Sequence, residues 1–246
     1  MPRKAQTESV ADVSAAPGGA AAVDRALSLL AAFRAGDQAL SLAELAQRTR
    51  LYKSTALRLI ASLEHAGLLQ RLDDGRYVLD MEVARLHSIY AASFSLDRVV
   101  LPVLRALVQA TGESAAYHVR QGHGADATRL CLYRVDSPHP IRDHIRAGDR
   151  LPLFRGTGGR VLAAFDPELA QAAPAEDRQW LAQVRAQGFC CAVGDRLAEV
   201  AGISAPVFHE DGRIAAAVTL TMPSHRYQER YAQAVLEAAR RLNGQV

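Results

Sequence analysis

The residues from Ser41 to Gly67, SLAELAQRTRLYKSTALRLIASLEHAG, constrain this chain more than any other stretch. Ser41 precedes an apolar run and Glu44 follows three residues later. That spacing is a capping box, in which the hydroxyl and the carboxylate satisfy backbone donors at a helix start. Leu42, Leu45 and Ala46 recur at helical spacing, and the pattern breaks at Thr49-Arg50-Leu51. A second helix is predicted from near Lys53 to Gly67, a residue suited to a helix C-terminus. At about 100° per residue, Ala56, Leu59, Ile60 and Leu63 share one face and Ser54, Thr55, Arg58 and Ser62 the other. The first face wants a core. The second carries hydroxyls and a cation and no carboxylate, and four basic residues with no acidic one lie between Arg48 and Arg58. Hydroxyls reach phosphates or bases, and Arg binds guanine or phosphate through paired hydrogen bonds.

Two readings fit these helices: a helix-turn-helix with its second helix in the major groove, or an ordinary helical hairpin with a solvated face. The next residues favour the first. Leu68 to Leu72 is a short apolar run, Asp73-Asp74-Gly75-Arg76 a turn signal, and Tyr77-Val78-Leu79 a second strand. A hairpin directly behind the recognition helix makes a winged helix-turn-helix, with Arg71 and Arg76 on the wing. An earlier helix, carrying Val23, Ala26, Leu27 and Leu30 up to Phe33, completes a three-helix core. Arg25 near its start either touches a phosphate or faces solvent. The candidate DNA contacts are Arg25, Ser41, Lys53, Ser54, Thr55, Arg58 and Arg76.

The order VDRALSLLAAF, SLAELAQRTRLYKSTALRLIASLEHAGLLQR, DGRYVLD resembles the N-terminal domain of IclR-type transcriptional regulators, most specifically in its KST…RLI…LE…GLL run. Tyr52 departs from that pattern, which usually places proline before Lys-Ser-Thr. The expected organisation is α+β: a disordered tail over 1–21, where large apolar residues are almost absent; a winged helix-turn-helix over 22–80; a linker helix over 81–94; and a GAF-like effector-binding domain over 95–246. Asp80 reads as the N-cap of the linker helix, whose Val83, Leu86, His87 and Tyr90 share one side. A further helix runs from Ser95 to Thr111.

Beyond it the pattern is mixed. Ala115 to Val119 and Arg129 to Val135 read as strands, as does Ile141 to Arg146. Gly158 to Phe165 and Glu176 to Gln187 read as helices. Ile203 to Phe208 and Arg213 to Thr221 read as strands around Glu210-Asp211-Gly212, and a last helix is expected from Ser224 to Leu242. The stretches GDRLPLFRGTGGRVLAAF, QGFCC and AGISAPVFHEDGRIAAAVTLTMP are similar to the effector-binding domain of the same family, whose fold is GAF-like.

Ile214, Ala216, Val218 and Leu220 alternate with Ala215, Ala217, Thr219 and Thr221. The second set is either a ligand-facing wall or an ordinary strand face toward water. The Gly156-Thr157-Gly158-Gly159 loop lets a guest approach the backbone and offers free amides at a helix start to an anion. It is no nucleotide fingerprint, since Val161 takes the place of the last glycine of G-x-G-x-x-G. The family resemblance implies contacts from this loop and the hydroxyl-bearing strand to a small organic acid, which implicates Leu151, Thr157, Gly158, Gly202, Thr219 and Thr221. Glyoxylate-sized and ring-sized acids, aromatic ones included, both fit this reading, and Gly202 and the alanines favour the larger.

Site chemistry for an enzyme is missing. His118, His123, His139 and His144 show no metal-ligand spacing and no G-x-S-x-G elbow occurs. No catalytic residue, metal or cofactor is therefore expected. Cys131, Cys190 and Cys191 make neither a disulfide framework nor a zinc spacing. The net charge of +3 confines any DNA contact to a local patch. No apolar run approaches the ~20 residues of a membrane span, and no secretory signal is read, so the cytoplasm is the expected compartment. The expected function is a ligand-responsive regulator that binds a near-palindromic operator in double-stranded DNA as a homodimer or homotetramer, without a membrane partner. The competing reading is a sensor that does not bind DNA, or an enzyme, built on the GAF-like domain.

Overall fold

The computed structural model describes residues 8–93, 96–124 and 127–246. The chain forms two compact units, Met1–Phe94 and Ser95–Val246. Residues 1–7 of the expected tail, residue 94 of the expected linker and the expected helix start at Ser95 lie outside the described residues.

In the first unit, α2 (Ala21–Ala31), α3 (Leu42–Thr49) and α4 (Lys53–His65) enclose a core of Leu29, Leu40, Leu45, Ala46, Ala56, Ile60 and Leu63. Full burial of each Leu or Ile there contributes about 1.5–3 kcal/mol. The capping box at Ser41 forms as the sequence predicts, with the Glu44 amide donating to Ser41 Oγ and the Ser41 amide to the Glu44 carboxylate. Strands β1 (Leu69–Arg71) and β2 (Tyr77–Leu79) pair antiparallel, and Leu40 bridges to Tyr77 to add a third short edge. Tyr77 is fully buried and locks this hairpin onto the helices. Helix α5 (Met81–Ser93) follows.

Part of the stretch expected to be a disordered tail is ordered differently. Helical turn α1 (Val10–Val13) is capped by Ser9, buries Ala11 and packs beside α2. Two small interactions hold it without large apolar residues: the Ser9 cap, and an ion pair between Asp12 and Arg25 at 2.8 Å.

The second unit is a six-stranded antiparallel sheet in the order β5-β4-β3-β8-β7-β6. Its strands are β3 (Ser114–Gln121), β4 (Thr128–Val135), β5 (Arg150–Pro152), β6 (Cys190–Val193), β7 (Val200–Phe208) and β8 (Ile214–Pro223). One face packs on α6 (Leu96–Thr111) and α10 (Tyr231–Leu242) through Ile203, Val218, Leu220, Leu104 and Val235. The other is covered by α7 (Thr157–Phe165), α8 (Pro167–Ala172) and α9 (Ala175–Gln187), with Val161, Leu162, Leu169, Leu181 and Ala217 at the contact.

The expected strand at Ile141 to Arg146 is irregular. The edge of β4 that it needs is taken by the chain just beyond it: the Gly148 amide donates to Cys131 O, the Cys131 amide to Asp149 O, and Leu151 pairs with Arg129. The helix expected from Ser224 is a 3-10 turn over Ser224–Arg226, and α10 starts only at Tyr231 because Tyr227 is extended. The alternation of β8 holds from Ala216 to Met222 but not below. A bulge opposite Val207 and Phe208 leaves Ala215 unpaired, so Ile214 packs with α7 and α9 instead of with α10.

Candidate functional site

Two places concentrate groups that the fold does not use for itself. The first is the outward face of α4. Tyr52, where proline would be usual, has φ of −64°, the value a proline ring fixes, so the helix starts at Lys53 without one. Lys53, Ser54, Leu57 and Arg58 are exposed, Thr55 is half-buried, and Ser62 continues the same face. Neither Lys53 nor Arg58 has an ion-pair partner among the described residues. Arg50, in the turn before α4, holds a φ of +58° and is the only non-glycine residue at positive φ among the described residues. That conformation costs an L-residue roughly 1–2 kcal/mol, so the turn keeps an exposed cation where glycine would be easier.

Other expected DNA contacts are already engaged. Arg25 pairs with Asp12 at 2.8 Å and keeps about a third of its side chain exposed. Ser41 is tied into its capping box. Arg76 pairs with Asp74 at 2.7 Å on the wing. Arg48, counted among the basic residues of the turn, is held by Asp37 and the carbonyl of Ala32. Leu57, nearly half exposed on the hydroxyl-bearing face, escaped a reading by polarity alone.

The second place lies between α7 and the sheet. Gly156, at φ of +78°, turns the chain into α7, and its amide donates to Asp195 at 2.6 Å. Arg160, one turn on, is buried; its Nε and Nη2 donate to the two Asp195 oxygens at 2.8 Å each, Nη1 donates to Asp177, and the guanidinium stacks 3.6 Å from the Trp180 ring centroid. The loop is thus fixed from behind. On its open side, Thr157, Gly202, Thr219 and Thr221 line a small cavity of about 30 Å³, together with Arg129, Ile145, Ala192, Asp195 and Arg196. The cavity is partly open to solvent, so a guest larger than the enclosed space extends from its mouth.

A buried hydroxyl chain runs along the wall. Ser204 Oγ lies 2.7 Å from Thr157 Oγ1 and 2.9 Å from Thr219 Oγ1, and Thr219 Oγ1 lies 3.1 Å from His118 Nδ1. His118 is fully buried, its Nε2 has no hydrogen-bond partner among the described residues, and burial followed by the charges of Arg129, Arg134 and Arg196 pushes its pKa well below 6.5. It is therefore neutral at pH 7.

Arg129 is 2 % exposed, and no carboxylate among the described residues pairs with it. Its Nε is buried without a hydrogen-bond partner among them. Its guanidinium abuts the glycine loop: a Cβ on Gly156 would stand 2.7 Å from Nη2, and one on Gly158 would stand 2.9 Å from Nη1. Burial, then the charge of Arg196, lowers its pKa to about 10. An uncompensated buried cation is costly, and here it sits beside the first-turn amides of α7. The arrangement can bind an anion.

Of the six residues expected at the effector, Thr157, Gly202, Thr219 and Thr221 line the cavity, and Gly158 touches its wall, 2.6 Å from Thr219 Oγ1 to its would-be Cβ. Leu151 does not reach it and packs instead with Ala116, Cys131 and Ile145. Gly202 leaves no spare volume, because Thr157 Oγ1 lies 2.6 Å from where its Cβ would stand. His118, Arg129, Arg196 and Ser204 were not legible as site residues. The one signal was parity: Arg129 sits on the same side of β4 as the buried Cys131. Cys131 and Cys190 are buried thiols pushed up to about 12 by burial, and so stay protonated.

Among the described residues, no helix is long and apolar enough to cross a membrane. Residues 22–73 match the IclR helix-turn-helix domain, and residues 172–246 match the bacterial transcriptional regulator IclR C-terminal domain. The chain is 27% identical to the glycerol operon regulatory protein of Streptomyces coelicolor, over 75% of this chain and 78% of that one. It is 22% identical to the Pca operon regulatory protein of Acinetobacter baylyi, over 86% and 82%. An IclR homolog from Microbacterium hydrocarbonoxydans, solved in complex with 4-hydroxybenzoate, superposes with a TM-score of 0.76 at 24% identity, over 90% of this chain and 97% of that one. With the winged helix-turn-helix in the first unit and both family domains matched in order, the chain belongs to the IclR family of transcriptional regulators.

Proposed function

We propose that this regulator reads a near-palindromic operator as a homodimer in the cytoplasm, and that a small organic acid in the cavity beside Arg129 sets its affinity for DNA. The observation that carries the second half is the buried Arg129 guanidinium, without a carboxylate partner among the described residues, against the start of α7. A carboxylate there accepts from Arg129 and from the first-turn amides, and the hydroxyls of Thr157 and Thr219 complete the cradle. The 4-hydroxybenzoate complex of the related structure supports acids as the class of guest. In the first unit Lys53, Ser54 and Arg58 supply contacts to base edges and phosphates from α4. Exposed Met81 and Leu86 on α5 give a second copy an apolar surface to cover.

The domain organisation we adopt is a DNA-binding unit to residue 80, a connecting helix over α5, and an effector unit beyond it. For the acid to act it must bind one arrangement of the paired DNA-binding units more tightly than another.

The test is a mobility-shift titration on the chain's own promoter region, at several salt concentrations, with and without a panel of carboxylic acids. We expect affinity to fall steeply with salt, at least one acid to shift it, and Arg129→Gln to abolish that shift while retaining DNA binding. Equal affinity for promoter and random DNA, or an acid response untouched in Arg129→Gln, would overturn the corresponding half.

A further inference from the structure

The cavity holds a second cation that the acid-sensing role does not by itself require. Arg196, just after β6, lines the same wall as Arg129. Its Nη2 is buried with no hydrogen-bond partner among the described residues, and the nearest carboxylate oxygen, on Asp143, is 3.9 Å away. Asp143 is already bound to Arg134. The other carboxylate on the wall, Asp195, is spent on Arg160 and the Gly156 amide. The two arginines flank one point of the loop: a Cβ on Gly156 would lie 2.7 Å from Arg129 Nη2 and 3.7 Å from Arg196 Cβ.

The electrostatic consequence is direct. Two guanidiniums line one cavity; Asp195 is taken by Arg160, and Asp143, bound to Arg134 through Oδ1, leaves only its Oδ2 without a hydrogen bond among the described residues, 3.9 Å from Arg196 Nη2. After burial, the charge of Arg196 is the largest cause lowering the pKa of Arg129. A monoanion neutralises one of them and leaves the other buried with only a distant partner. A dianion compensates both. Ile145, Val200 and Ala201 add carbon to the wall beside the threonine hydroxyls, which suits a short methylene chain.

We propose that the effector is a compact dicarboxylate, with one carboxylate on Arg129 and the α7 start and the other on Arg196. This deepens the acid-sensing role proposed above and rests on it. A phosphate monoester or inorganic phosphate presents the same charge in a single tetrahedral group, so the test separates the two.

The experiment is calorimetry on the full-length protein with oxalate, malonate, succinate and glutarate, with the monomethyl ester of each, and with inorganic phosphate. We expect at least one diacid to bind, and its half-ester to bind at least about tenfold more weakly, as for loss of one charge-assisted hydrogen-bonded pair. In Arg196→Gln the diacid should weaken by a similar factor while the half-ester is unchanged. In Arg129→Gln both should be lost. The comparison of diacid with half-ester uses the wild-type protein and so stands even if a variant fails to fold. A half-ester that binds as tightly as its diacid overturns the dicarboxylate and leaves the acid pocket standing. Inorganic phosphate binding more tightly than every diacid also overturns it. No binding by any acid, ester or phosphate overturns the dicarboxylate and the pocket together.

Discussion

Asp195 accepts from Arg160 Nε and Nη2 at 2.8 Å each, a two-pronged pair in which both side chains are almost wholly buried. The same carboxylate accepts the Gly156 amide, so one ion pair sets both the helix and the loop that opens it. Burial alone would raise the pKa of Asp195, but Arg160 outweighs it and the net shift is down. Arg160→Met keeps much of the volume and the contact with Trp180 but strands Asp195 and Asp177. Breaking a buried pair from one side costs about 3–5 kcal/mol. Urea denaturation of the full chain should show that loss. A loss below about 1 kcal/mol would mean that water reaches Asp195 readily and that the pair does not fix the loop.

Gly158 packs tightly against the pocket wall. An alanine Cβ there would stand 2.6 Å from Thr219 Oγ1, 2.9 Å from Arg129 Nη1 and 3.1 Å from His118 Nδ1. Gly158→Ala must therefore push the guanidinium or the hydroxyl out of place, at an overpacking cost of about 1–3 kcal/mol. The expected outcome is an effector response weakened at least about tenfold, with operator binding in the absence of effector unchanged. Mobility shifts with and without the acid measure both. Retention of the full response would place the guest away from this loop.

The neutral, buried His118 makes stability depend on pH in a defined direction. Its folded pKa lies well below 6.5, through burial first and then Arg129, Arg134 and Arg196. Below about pH 6.5 the unfolded chain takes up a proton on this residue and the folded one does not, so unfolding is favoured as pH falls. This contribution is absent above about pH 7 and grows by up to about 1.4 kcal/mol per pH unit below 6.5. His118→Asn, which keeps a polar atom near Thr219, should flatten the stability curve between pH 7 and 5 by that amount. Equal slopes in both proteins would show that His118 is protonated in the fold.

The helix-turn-helix was legible because its signals are local. The Ser41/Glu44 box, the apolar period through Ala56, Ile60 and Leu63, and the Asp74-Gly75 turn each lie within one turn or one hairpin of the contacts they specify. The pocket was half legible for the same reason. Thr157 belongs to a glycine loop, and Thr219 and Thr221 to an alternating strand. Arg129 and Arg196 meet only because β4 and the segment after β6 reach the same loop from opposite ends of the sheet, and no local pattern encodes that. The strand expected at Ile141 failed on competition for an edge, which is again a non-local matter. Gly202 read as spare volume, whereas the fold fills that volume with Thr157.

Reading by α4 yields the last prediction. Ser54, Leu57, Arg58 and Ala61 follow one another at helical spacing on the exposed face, with Lys53 at its start. Arg58, mid-helix and without an ion-pair partner among the described residues, is the residue we propose takes a base edge. Arg58→Ala should cost roughly 1–3 kcal/mol on the operator and relax the preference at one base position. Lys53 stands at the helix start, and we propose that it contacts a phosphate. Lys53→Ala should weaken all sequences alike and lower the salt slope by about 1. Leu57 offers only carbon, and the thymine methyl is the apolar group that the major groove presents. Leu57→Ser should therefore lose affinity for operators with thymine at the facing position and change little where that base is cytosine. Binding of a randomised operator library to the three variants separates these outcomes, with circular dichroism as a check on folding. A uniform loss in Arg58→Ala, with no change of base preference, would assign that arginine to the phosphate backbone.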